Sequence, residues 1–271
     1  MTSVHSIPAH AQTAPCETVS APPHPRLRPF VVGYSGFRSG SGSAVRHRVL
    51  PVNLTTLVID VTGASRLVTG PRADFEVHSS AAWREGVAIG LTPAGATAIL
   101  GVPVRRLLGE SIALADVLGP REAELAEQLA GAPDPASRFA VLDEQLAALV
   151  DARTPPDALV ARAWSWLQRP APRISVGSLA GRLGISRRYL ELRFEREIGL
   201  PPRSVARIAR LQRALGRLFE PSGLARVAVE CGYADQPHFS REVRAMTGLT
   251  PTQLCAFLQY GGPPPPVASG A

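Results

Sequence analysis

The 271-residue chain contains no lysine; all 29 of its basic side chains other than histidine are arginine. With its abundant alanine this reads as a GC-rich coding bias, so the arginine count alone is weak support for phosphate binding. Cysteine is scarce too. Cys16, Cys231 and Cys255 have neither disulfide nor metal-ligand spacing, which argues against a disulfide-stapled fold and points to a reducing cytosol. No run of about 18 apolar residues is present to span a bilayer. The first 25 residues lack the apolar stretch of a secretory signal. No Gly-x-Ser-x-Gly elbow, no phosphate loop followed by lysine and no carboxylate pair supports catalysis, so an enzyme is not expected. His47 and His78 stand apart, without the His-x-His or glutamate company of a metal site, and neither metal nor cofactor is expected.

The charge that is present is unevenly placed. Residues 161 to 260 hold sixteen arginines against seven acidic residues, a balance of +9; the rest holds thirteen against fifteen. A basic carboxy-terminal region beside a slightly acidic amino-terminal region points to a polyanion partner for the former only.

Hydrophobic periodicity divides the chain. Residues 1–28 and 261–271, rich in proline and small polar residues, read as a disordered arm and a disordered tail. From Pro29 to Leu91, short Val/Ile/Thr-rich runs are punctuated by Gly63 and Gly70-Pro71, a strand pattern. From Pro93 the period becomes helical, at Ala94–Leu100, Val104–Leu108, Glu122–Leu129 and Phe139–Leu149. Residues 29–151 are therefore expected to form an α+β domain with strands first. Ala152 to Pro156 is the expected boundary, a helix over Ala158–Leu167 is stopped by Pro170, and residues 157–260 are expected to be all-helical.

Inside the all-helical region a single pattern occurs twice. Gly184, Ser186, Leu190, Phe194, Gly199 and Pro202 are answered by Gly232, Asp235, Phe239, Val243, Gly248 and Pro251, at an offset of 48 at the turn glycines and 49 afterwards. A fixed-period repeat marks a duplicated supersecondary unit. Each copy reads as helix, tight turn, helix, with Ser175, Ser186 and Asp235 as N-caps and a linker helix over Arg203–Leu218 between the copies. If Leu190, Phe194, Phe239 and Val243 are core, the opposite faces look outward. Those faces carry Arg188, Leu192 and Glu195, flanked by Arg187 and Glu191, in the first copy, and Pro237, Ser240, Arg241 and Arg244 in the second. Arginine can bond guanine bidentately, glutamate can accept from cytosine and glutamine can pair with adenine, so these types suit major-groove reading. The base-reading candidates are Arg187, Arg188, Glu191, Leu192, Gln236, Ser240 and Arg241. Phosphate candidates are Arg182, Arg203, Arg207, Arg213 and Arg244, while Arg210 could serve the linker helix internally.

Residues 172 to 256 resemble the DNA-binding domain of AraC/XylS-type transcription regulators. Gly232-Tyr233-Ala234-Asp235-Gln236, His238-Phe239-Ser240-Arg241 and Gly248-Leu249-Thr250-Pro251 lie close to the family signature. Leu179-Ala180, Gly184-Ile185-Ser186 and Arg210-Leu211 with Ala214 match its first unit and linker helix. The resemblance implies two helix-turn-helix units entering successive major-groove segments roughly 10 base pairs apart. It implies double-stranded DNA as partner, a cytoplasmic, nucleoid-associated location, and an amino-terminal domain for ligand sensing, self-association or both, with a pure dimerisation or protein-interaction module, or a fused enzyme, as the alternatives for that domain. RNA polymerase, a small-molecule effector and a homodimer remain open as further partners; a membrane does not. One departure stands out: Leu192 occupies the position where the second unit has Arg241, so the second unit is expected to be the more guanine-specific.

Overall fold

The computed structural model describes residues 3–9, 16–63, 65–151, 158–169, 174–218 and 223–260. Among them, nine strands form two antiparallel sheets. The smaller contains β1 (Ser6–Pro8), β4 (Val45–Val49) and β7 (Glu76–Trp83), in the order β1-β4-β7. The larger contains β2 (Cys16–Ala21), β3 (Val31–Ser39), β5 (Thr55–Asp60), β6 (Arg66–Thr69), β8 (Glu85–Leu91) and β9 (Ser111–Ala113), in the order β2-β3-β8-β5-β6-β9. Helical structure follows: α1 (Pro93–Gly95), continued by a π turn at Ala96–Leu100, then α2 (Ala115–Leu118), α3 (Arg121–Gly131) and α4 (Pro135–Asp151).

These elements stack in layers because β5 is apolar on both faces. Val58 meets Val49, Leu67 and Trp83 between the sheets. Leu57 and Ile59 point the other way, into a core shared with Leu125 and Leu129 of α3 and with Phe139, Leu142 and Leu146 of α4. A strand covered on both faces reads as a continuous run rather than an alternation, as Thr55–Asp60 does.

The amino-terminal 28 residues are not a disordered arm throughout. β1 pairs with β4, Ser6 opposite Val49, and β2 pairs with β3 from Cys16 opposite Ser39 to Ala21 opposite Tyr34. Thr18, Val19 and their neighbours are good strand formers, and both segments add an edge strand, β2 beside the β3 that follows it and β1 beside β4 farther along. Residues 1–2 and 10–15 of that arm lie outside the described residues, as do the tail 261–271, the boundary Ala152–Pro156 and Pro170.

The remaining helices are α5 (Ala158–Gln168), α6 (Val176–Arg182), α7 (Arg187–Glu197), α8 (Pro202–Arg217), α9 (Leu224–Glu230), α10 (Gln236–Thr247) and α11 (Pro251–Tyr260). The chain is thus a sheet-rich α+β domain followed by an all-helical one. Their junction is a packed core. Ile7 of β1, with Leu50 and Leu54 of the connection between β4 and β5, is buried in one cluster with Trp164, Val205, Leu211, Phe194 and Phe239 of the helical domain. Fully burying an aliphatic side chain of this size contributes roughly 2 kcal/mol, part of it here supplied by the facing domain. Polar ties run alongside. Gln212 of α8 accepts from Val4 N at 2.8 Å and donates to Val4 O at 3.1 Å and Pro51 O at 2.7 Å. Asn53 Nδ2 donates to the carbonyl of Val205 at 2.8 Å.

Candidate nucleic-acid interface

The two copies of the repeat fold alike because the same local signals act in each. Ser175 Oγ accepts from Ser178 N at 3.0 Å, Ser186 Oγ from Tyr189 N at 3.2 Å and Asp235 Oδ1 from His238 N at 2.6 Å, each satisfying an amide that the first helical turn leaves unpaired. At the turns Gly184 and Gly232 have φ of 70° and 82°, a left-handed conformation that side chains with a Cβ resist. The reversal is closed by equivalent bonds, Ile185 N to Ala180 O at 3.1 Å and Tyr233 N to Ala228 O at 2.8 Å. α7 and α10 end the same way, at Gly199 and Gly248 with φ of 83° and 74°.

Packing then decides which faces look outward. Leu190 and Phe194 on α7, and Phe239 and Val243 on α10, are fully buried. On the opposite side of α7, Arg188 is exposed and Leu192 is 50% exposed, a large apolar side chain left in water. Arg187 and Glu191 pair with each other at 2.9 Å, one turn apart. On α10, Gln236, Arg241 and Arg244 are exposed and Ser240 is half-buried. Among the described residues no ion pair engages Arg188, Arg241 or Arg244.

Of the phosphate candidates, Arg203 is exposed, and Arg182 lies over the ring of Trp166 at 5.1 Å. Two others are engaged within the chain. Arg207 Nε is 3.7 Å from Glu242 Oε2. Arg213 donates to the carbonyl of Arg169 at 3.2 Å, and burial pushes its pKa below the ordinary guanidinium value. Arg210 does serve the linker helix internally. Its Nη2 donates to both carboxylate oxygens of Glu242 on α10, and its guanidinium lies 4.6 Å over the ring of Tyr233. Burial opposes the charge on Arg210, and the Glu242 carboxylate more than offsets it, raising its pKa. The same burial, with the nearby Glu242 charge, pushes the Tyr233 hydroxyl well above its ordinary value.

Sequence reasoning passed over Tyr189. It is 44% exposed near the start of α7, and its hydroxyl accepts from Arg193 Nη1 at 2.8 Å, while Arg193 also bonds Glu197. Its position, one turn before Arg193 and three residues past the N-cap, was the available signal. Cys231 is buried in the turn, as a small packing residue there should be. Within the sheets, His47 and His5 lie close to each other against Trp83, while the side chain of His78 lies outside the described residues. Among the described residues no group of three or more His, Cys, Asp or Glu gathers as a metal site, and no helix is long and apolar enough to cross a membrane.

A helix-turn-helix domain model matches residues 179–256. Among solved structures, an AraC-type transcriptional regulator from Chromobacterium violaceum is 28% identical, covering 39% of this chain and 94% of its own with a TM-score of 0.36. A probable AraC family regulator from Rhodopseudomonas palustris is 26% identical, covering 38% of this chain and 98% of its own with a TM-score of 0.34. ToxT from Vibrio cholerae is 11% identical, covering 94% of this chain and 96% of its own with a TM-score of 0.45. No curated protein matches the chain in sequence.

Proposed function

We propose that residues 179–256, which match a helix-turn-helix domain model, are a DNA-binding domain of the AraC type, and that the chain is a sequence-specific transcription regulator whose two recognition helices, α7 and α10, read successive major-groove segments of one duplex. One observation carries this reading: two repeat-related helices bury equivalent residues and so leave equivalent faces, Arg187 with Leu192 and Gln236 with Arg241, open to solvent. Arg188 and Glu191 read the first segment and Arg241 with Gln236 the second. Tyr189 adds an aromatic edge beside the first. Arg182, Arg203 and Arg244 meet phosphates, whereas Arg207 and Arg213 hold the scaffold. The packed junction at Ile7, Leu50 and Leu54 supports modulation of this reading by the amino-terminal domain.

Selection of bound duplexes from a random pool, followed by footprinting, tests the proposal. Two protected major-groove segments roughly 10 base pairs apart are expected. Affinity should fall steeply with salt as neutralised phosphates release counterions. One protected segment alone, or affinity flat between low and physiological salt, contradicts it.

A further inference from the structure

The amino-terminal domain touches the reading domain at points that the repeat makes equivalent. A methyl group on Gly199, at the end of α7, would lie 3.2 Å from both Arg105 Cα and Leu108 Cδ2. A methyl group on Gly248, at the end of α10, would lie 2.7 Å from Phe75 Cζ and 3.0 Å from Arg48 Nη1. Both turns are thus seated directly against the sheet-rich domain. At the second seat, Arg48 Nη1 also donates to the carbonyl of Thr247 at 3.2 Å, with its guanidinium 4.5 Å over the Phe75 ring. Between the seats, α8 is anchored at Val205 by Asn53 and at Gln212 by Val4 and Pro51. Those two positions are seven residues apart, two turns along one face of the helix.

We propose that the amino-terminal domain acts as a spacing gauge: by gripping the turn after each recognition helix and the linker between them, it fixes their separation and mutual rotation, and so selects which spacing of two DNA half-elements the chain accepts. This rests on the two-segment reading proposed above. A linker helix alone leaves bending and torsion free, and each free mode lets the two units adapt to a shifted half-element. Four anchors from a second rigid body remove those modes before binding, so the ordering is not left to the encounter with DNA. The grip also leaves the reading faces clear. The base-reading candidates occupy the first six positions of α7 and of α10, and the seats lie beyond the last turns. The docked arrangement is therefore the binding one, and Arg48, Phe75 and Leu108 act as positioning residues that never meet a base.

The test uses the full chain and a selected operator, together with duplexes in which one base pair is inserted or deleted between its half-elements. One base pair moves a half-element by about 3.4 Å and turns it by about 35°. The wild type should lose about a hundredfold in affinity on the shifted duplexes, and the Arg48→Ala/Phe75→Ala variant about tenfold or less, with affinities for the unshifted operator within about threefold of each other. Phe75 is partly exposed, so its removal spares the core, and Leu108→Ala tests the other seat independently. Relaxed spacing in either variant supports the gauge. Spacing penalties equal to wild type in both overturn it while leaving two-segment reading intact. A wild type indifferent to spacing fails in its own arm and overturns both.

Discussion

Arg210 and Glu242, thirty-two residues apart, meet as a charged clasp in which one guanidinium nitrogen lies 2.7 Å from each carboxylate oxygen. The clasp ties α8 to α10, the second helix of the second unit, with Arg207 and His238 at 3.7 Å on its margin. Because the Glu242 side chain is only 10% exposed, cutting either partner strands the other in poor solvent. Arg210→Gln and Glu242→Gln should each cost about 2 kcal/mol of stability, and the double variant clearly less than their sum. Urea denaturation of the three variants measures this, and strict additivity would show that the clasp is not an interaction.

Arg241 is exposed on α10 and, among the described residues, held by no ion pair, which leaves it ready for a bidentate contact with guanine. Arg241→Ala should reduce discrimination at one base pair of the second segment by about 1 to 3 kcal/mol. Competition with operators altered base by base separates this from a phosphate contact, which would weaken every sequence alike.

Leu192 holds the equivalent place on α7, half exposed and without a polar atom in its side chain. Leu192→Arg should add a guanine preference at one position of the first segment, tightening binding to the matching operator by about 1 kcal/mol or more. If a repeat selection with the variant returns the wild-type consensus, α7 does not present this position to the groove.

Acid should destabilise the sheet-rich domain through two histidines. The His5 and His47 rings lie 6.1 Å and 4.7 Å from the ring of Trp83, and His5 Nε2 is 2.7 Å from Thr69 Oγ1. Burial, then the charges of His47 and Arg72, push His5 down to about 3; burial pushes His47 down to about 4. Unfolded, both titrate near 6.5. Above that pH both are neutral in either state and stability is full. As pH falls from about 6.5 toward about 4 the unfolded chain binds protons that the folded chain refuses, and stability drops by up to about 1.4 kcal/mol per pH unit for each histidine. The urea midpoint should fall between about pH 7.5 and about pH 5, and His47→Gln should flatten the slope; a midpoint equally steep in the variant assigns the loss to other groups.

The two helix-turn-helix units were legible in sequence because what specifies them is local. Ser186 bonds an amide three residues on, Gly184 sets its own φ, and Leu190 finds Phe194 one turn later. The outward faces follow from that arithmetic alone. What escaped depends on partners far along the chain. β1 and β2 look like proline-rich coil until Val49 and Ser39 supply the other edge. Nothing near Arg207 foretells Glu242, and nothing near His47 foretells His5. Arg213 shows the limit of charge as a guide, since its periodicity on α8 is that of a surface residue and its guanidinium is half-buried at the Arg169 carbonyl. The seats at Gly199 and Gly248 combine both cases: the glycines were visible as a repeat, and the residues that press on them were not.

The bond between Val4 and Gln212 spans 208 positions and joins the edge of the smaller sheet to the middle of the linker helix. A ribosome must therefore complete and release most of the protein before the backbone of Val4 finds its partner. Until then both backbone polar groups of Val4 lack the Gln212 partner that they have in the finished fold. Slowing synthesis between the sheets and α8 lengthens that wait.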